Sequence, residues 1–349
     1  MGESSEKTLT TSFSRVSVSR ESRFPLDDDD DDDQAGHPRL LVSHGPYLKK
    51  HALYNISKNQ HVDLDVPELA SKEVFFTSYG NWVVLIDLII DSLRPVQTCG
   101  FCVLNITSGE KIRIPHKWHG RVFQCILSGP PTEPDCHLII LPEPRVNHLY
   151  YCRLDDGHFI EARWNFVYNY NTKITAPTAA SFGGKTYLWK GDSLFELVFR
   201  GDRKLDFVPL VHVAVADELF RWPVKARRVE DFIVPVEYGE ILVVRAVFDR
   251  YTDLFENVAY FKVFRIIMGN GNKECVEELT SIGNRALFLG KHGSTACFAD
   301  GSSSGVRRNS IYYYWDNQDI FVYDFEDRST TPLRPCPPVR SGIFSLCWV

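Results

Sequence analysis

The sequence lacks an apolar run long enough to cross a bilayer. Its longest, Val83 to Ile90, is interrupted by Asp87 and falls far short of the roughly 20 residues a spanning helix needs. The first twenty residues hold no secretory core, being mostly Ser, Thr, Glu and Arg. The nine cysteines are odd in number and scattered, so in the absence of a secretory signal the thiols are expected to stay reduced. The sequons Asn55-Ile56-Ser57 and Asn105-Ile106-Thr107 then carry no expectation of glycosylation. Helix signals are sparse; Pro67 to Val74 and Ala216 to Trp222 are the best, and both are short. No His-Glu-x-x-His pair occurs, which removes one common hydrolase signature. These absences predict a soluble intracellular protein, cytoplasmic and/or nuclear, with no membrane partner.

Net charge is also small outside one segment. Asp27 to Asp33 carry seven negative charges, and removing them turns the chain's −6 into +1. A nearly neutral body offers a nucleic acid little electrostatic support. Lys225-Ala226-Arg227-Arg228 is the densest basic cluster and reads as a solvated turn.

What is present suits sheets packed on sheets: 349 residues, 44% hydrophobic and 13% aromatic, enough for a large core. Residues 1–37 read as a disordered Ser/Thr- and Asp-rich tail with too little apolar surface to offset ordering. Gly2 fits a myristoylation signal poorly because Glu6 stands where Ser or Thr is wanted. Glu3, Glu6 and Glu21 argue against a transit peptide. Residues 38–349 form the folded domain.

Within that domain a glycine turn followed by an apolar strand recurs, at Gly80 before Trp82-Val83-Val84-Leu85, at Gly183-Gly184 before Tyr187-Leu188-Trp189, and at Gly239 before Ile241-Leu242-Val243-Val244. A second strand follows the first two, Phe101 to Ile106 and Ser193 to Phe199. In the C-terminal third, Phe261–Ile267, Ala286–Leu289, Ile311–Tyr314 and Ile320–Tyr323 are dense in β-branched and aromatic residues. Asn270-Gly271 and Asp316-Asn317-Gln318 supply turn chemistry between runs. Strand pattern alone allows a β-sandwich or a propeller; the repeated unit favours an all-β propeller of six or seven blades.

Three motifs look chemical. Gly183-Gly184-Lys185-Thr186 resembles the end of a phosphate loop, but position 179 is alanine and a strand follows where a helix is required. Cys99-Gly100-Phe101-Cys102 has half the spacing of a zinc site, with no second pair to complete it. His116-Lys117-Trp118-His119 reads as a surface loop after Pro115. No residue is assigned a catalytic, cofactor-binding or metal-ligating role, and no cofactor is expected.

Val276 to Gly290, ending Phe288-Leu289-Gly290, and then Asn309-Ser310-Ile311-Tyr312 resemble in order the last part of the plant KIB-type β-propeller domain, which usually follows an F-box. Asn105-Ile106-Thr107-Ser108-Gly109 with Ile114-Pro115 is similar to a kelch-type phrase, with isoleucine where that phrase has proline. The resemblance implies a kelch-like, non-enzymatic platform for a protein partner, a kinase or other signalling protein among the options, related to ubiquitin-ligase substrate receptors. Only Leu9 and Leu26 are leucines before Leu40, so no F-box and no Skp-type adaptor binding is expected from this sequence. The alternative is a hydrolase or carbohydrate binder with a site at the central channel, its carboxylates drawn from separate blades.

Overall fold

The computed structural model describes residues 38–45, 48–87, 98–142, 146–156, 158–164, 176–201, 204–212, 226–236, 240–249, 258–267, 275–299, 305–314, 320–333 and 345–348. The tail, Ala216 to Trp222, Asn270-Gly271 and Asp316-Asn317-Gln318 lie outside the described residues. The strands form six small sheets, so the propeller has six blades.

Blade 1 begins with β1 (Leu40–His44), β2 (Lys50–Asn55) and β3 (Gln60–Leu64). Blade 2 is β4 (Lys72–Phe76), β5 (Trp82–Asp87), β6 (Thr98–Asn105) and β7 (Lys111–His119). Blade 3 is β8 (Gln124–Leu127), β9 (His137–Leu141), β10 (His148–Arg153) and β11 (Ile160–Arg163). Blade 4 is β12 (Thr178–Phe182), β13 (Lys185–Lys190), β14 (Ser193–Phe199) and β15 (Leu205–His212). Blade 5 is β16 (Ala226–Pro235), β17 (Glu240–Asp249), β18 (Val258–Ile267) and β19 (Cys275–Leu279). Blade 6 is β20 (Arg285–Gly290), β21 (Gly293–Phe298), β22 (Ser310–Tyr314), β23 (Ile320–Asp324) and β24 (Thr330–Leu333). Finally β25 (Ser345–Trp348) pairs antiparallel with β1, Leu40 facing Trp348, and closes the ring.

All four C-terminal runs singled out above are strands. Pro67–Leu69 form only a short 3₁₀ turn; the expected helix over Pro67 to Val74 does not form. Ser71 adopts φ +59 just after the turn, and Val74 already pairs with Leu85 in the sheet. Among the described residues no helix is long and apolar enough to cross a membrane.

The core is divided by blade. Each of the six seams holds its own apolar cluster: Ile126 with Leu188 between blades 3 and 4, Trp189 with Ile241 between blades 4 and 5, Phe261 with Tyr313 between blades 5 and 6. A recurring turn helps fill them. At Asn55 and Asn105 the side-chain carbonyl accepts backbone amides two or three residues on, and at Asp324 the carboxylate does the same. The next residue, Ile56, Ile106 or Phe325, is buried in the seam with the preceding blade. Both sequons therefore mark turns of this kind, in which asparagine or aspartate locks the backbone and its apolar neighbour packs inward.

Blade 6 departs from the others. Strand β20 pairs antiparallel with β21 on one side and parallel with β22 on the other. The strand at the channel, β21, thus follows its neighbour in sequence instead of preceding it.

Candidate functional site

Four consecutive inner strands, β4, β8, β12 and β16, together with β21, enclose a pocket at the central channel. It holds about 310 Å³ of empty space, part of it open to solvent. Polar groups come from Thr77, Ser78, Gln124, Ser181 and Ser294, and apolar surface from Phe76, Ile126 and Ile233. No lining residue among the described ones carries a carboxylate. Several of the polar groups are engaged internally. Thr77 Oγ1 donates to the Trp82 carbonyl at 2.7 Å, and Ser181 and Thr186 share a hydroxyl–hydroxyl bond of 3.0 Å. The Gln124 amide clasps Ala179 on the neighbouring blade, Nε2 donating to its carbonyl at 3.0 Å and Oε1 accepting its N–H at 2.8 Å. Gln124→Met should therefore cost about 1–3 kcal/mol, because two buried backbone groups lose partners. Urea unfolding checks this, and an unchanged midpoint would show that the clasp contributes nothing net.

Tyr79, whose hydroxyl donates to the Ser128 carbonyl at 2.9 Å, is pushed up to about 12 by burial and nearby acidic groups. The histidine–carboxylate pair beside the channel is His292 with Glu73, Nε2 lying 3.3 Å from Oε1. His292 packs edge-on against Phe75, its carbonyl accepts the Phe76 N–H, and burial pushes its pKa down to about 3. Burial raises Glu73. A neutral, boxed-in imidazole beside one carboxylate does not supply the two carboxyl groups that glycoside hydrolysis generally uses.

The motifs singled out in the sequence do not converge. Gly183 and Gly184, at φ +58 and +73, make the tight turn between β12 and β13, and Lys185 pairs with Glu196 at 3.0 Å. Cys102 is a free thiol on β6 whose pKa burial raises. His116 to His119 are not in a loop: they end β7, with Trp118 buried against Tyr150 and Phe159. Ala226 to Arg228 likewise open β16 instead of forming a turn, and Arg228 pairs with Glu230. Among the described residues no group of three His, Cys, Asp or Glu could hold a metal.

Sequence reasoning overlooked a buried polar centre between blades 4 and 5. Arg245 donates to Asp231 through Nε at 2.7 Å and Nη2 at 2.9 Å, and the Trp189 indole donates to the same carboxylate at 3.1 Å. Burial works to lower the Arg245 pKa, but the charge and bonds of Asp231 hold it above its ordinary value. A signal existed, since Arg245 interrupts the apolar run Ile241 to Phe248 and Asp231 lies directly before Phe232-Ile233-Val234.

The surface also holds an unusual rim. Phe298 and Ile267 are the two most exposed large apolar side chains among the described residues, at 56% and 45%. Phe298 faces Arg285 across β20–β21, Arg285 pairs with Glu240 at 2.8 Å, and Glu240 faces Ile267 across β17–β18. Arg265 pairs with the same Glu240 at 2.7 Å. These residues occupy one end of blades 5 and 6.

A family model, the KIB1-4 beta-propeller, matches residues 53–324. A search of curated proteins finds no match. Among solved structures the chain is similar to an alpha-L-arabinanase of Penicillium chrysogenum complexed with arabinobiose, at 11% identity over 75% of this chain and 82% of that one, TM-score 0.35. It is also similar to YjhT, at 9% identity over 89% of this chain and 98% of that one, TM-score 0.37. Neither likeness is close enough to transfer an activity.

Proposed function

Because the chain belongs to the KIB1-4 β-propeller family, we propose that it is a non-enzymatic platform that binds a protein partner through one face of the propeller. The observation that carries this reading is the rim of blades 5 and 6. There Phe298 and Ile267 stand exposed beside Arg285 and Arg265, both braced by Glu240. Exposed aromatic and arginine side chains held in place are what protein interfaces concentrate their binding energy on. The channel supports the non-enzymatic part, since its described lining offers hydroxyls and an amide where hydrolysis wants paired carboxylates.

The test is affinity purification of the tagged chain from cells that express it, beside a Phe298→Ser/Ile267→Ser variant. The variant should lose the co-purifying partner at least tenfold while its thermal unfolding stays near wild type, as exposed substitutions normally do. Full retention of every partner would remove the rim from the reading. Turnover of a glycoside panel by the purified wild-type chain would overturn the non-enzymatic reading itself.

A further inference from the structure

The aspartate run ends at Asp33, seven residues before β1 begins at Leu40, and Arg39 directly precedes that strand. Leu40 pairs with Tyr54 and shares one buried cluster with Ile56 and Val306. Gly305 lies so close to the β2–β3 turn that a Cβ there would collide with the Ser57 backbone, and its φ is +60. Lys58 follows Ser57, and Arg307 and Arg308 follow Gly305; all three are exposed. The seam between blades 1 and 6 therefore gathers Arg39, Lys58, Arg307 and Arg308 around the start of β1.

Acids are nearby too, on the β23–β24 turn, which the bond from the Phe325 N–H to the Asn309 carbonyl places alongside. Asp324 and Asp327 already accept backbone amides within that turn, at 2.9 Å from Glu326 and 2.7 Å from Ser329. Glu326 is exposed, and Arg328 adds a further cation. Among the described residues the seam carries five cations, Arg39, Lys58, Arg307, Arg308 and Arg328, against the three acids Asp324, Glu326 and Asp327, with Arg307 already acting on Asp327.

We propose that Asp27 to Asp33 dock on this basic seam of their own chain. Asp33 lies six residues before Arg39, a span of about 20 Å when extended, and Asp27 reaches about twice as far. That is sufficient to return across Lys58, Arg307 and Arg308. Single exposed ion pairs are weak, but a short tether holds the run at roughly millimolar effective concentration. The run also brings seven charges to a body whose remainder is close to neutral. An unlinked acidic protein would have to outcompete it.

The test uses the full chain and a zero-length carbodiimide, which couples carboxylates to lysine amines, with cross-links mapped by mass spectrometry. In low salt the run should link to Lys58 and not to the distant exposed Lys117 or Lys204. The yield should fall several-fold in 1 M NaCl, where screening is strong. It should fall at least tenfold in Arg307→Glu/Arg308→Glu, a surface change whose folding circular dichroism checks. A variant with Asp27 to Asp33 all replaced by asparagine should bind a synthetic peptide of residues 24–36 that the wild type, its seam already occupied, does not. Linking that ignores salt or the charge reversal would overturn the proposal, as would equal linking to Lys117. Links formed only between isotopically distinguished copies would overturn it in favour of a second copy as the occupant.

Discussion

Arg245→Met should destabilise the protein by about 3–5 kcal/mol, because it leaves the Asp231 carboxylate buried and unpaired. Its side chain is fully buried, and Arg245 and the Trp189 indole supply its close contacts. Adding Asp231→Asn to Arg245→Met removes the stranded charge yet keeps an acceptor for Trp189. The double variant should recover more than half of the loss. Chemical denaturation of the three proteins checks this. A single variant within about 1 kcal/mol of wild type would show that water reaches the site and that the pair is ordinary surface chemistry.

The second large effect is loss of stability in mild acid. His51 is buried beside Ser43, its Nδ1 2.9 Å from the hydroxyl, and burial pushes its pKa down to about 4. His292 is pushed down to about 3 by burial. The unfolded chain, with histidine near its ordinary value of about 6.5, takes up these protons first. Stability is therefore complete above about pH 6.5 and falls as pH drops toward the folded values. The two histidines together should remove on the order of 5 kcal/mol by pH 4.5. Glu73 acts in the opposite sense, since burial raises its pKa and acid relieves it. Urea midpoints at pH 7.5, 6.0 and 4.5 measure the slope, and His51→Phe should flatten it. A midpoint constant across that range would defeat the argument.

Much of the fold could be read before the structure was available, for a physical reason. Phe261, Val263, Phe264 and Ile266, and the run Ile311 to Tyr314, are aromatic and β-branched residues buried between sheets, where such side chains pack best. Blade number was harder. Strand β21, Gly-Ser-Thr-Ala-Cys-Phe, has little apolar character and follows its neighbour instead of preceding it, so no period along the chain reveals it. The histidines of β7 were misplaced because Pro115 suggested a loop. An outer strand tolerates proline where its N–H is not needed for the ladder. The rim was illegible because Phe298 and Ile267 look like core residues until the register places them at strand ends. Asp231 and Arg245, fourteen positions apart, face each other only through the β16–β17 pairing.

The ring closure by β25 sets an order of events during synthesis. Its partner β1 emerges about 300 residues earlier, which at cellular elongation rates is a delay of roughly 15 to 60 seconds. Throughout that interval Leu40, Leu41 and Val42 present an apolar strand edge that has no inner neighbour. Such an edge is a template for pairing with other nascent chains. Blade 1 is thus begun before the other five blades and finished after them.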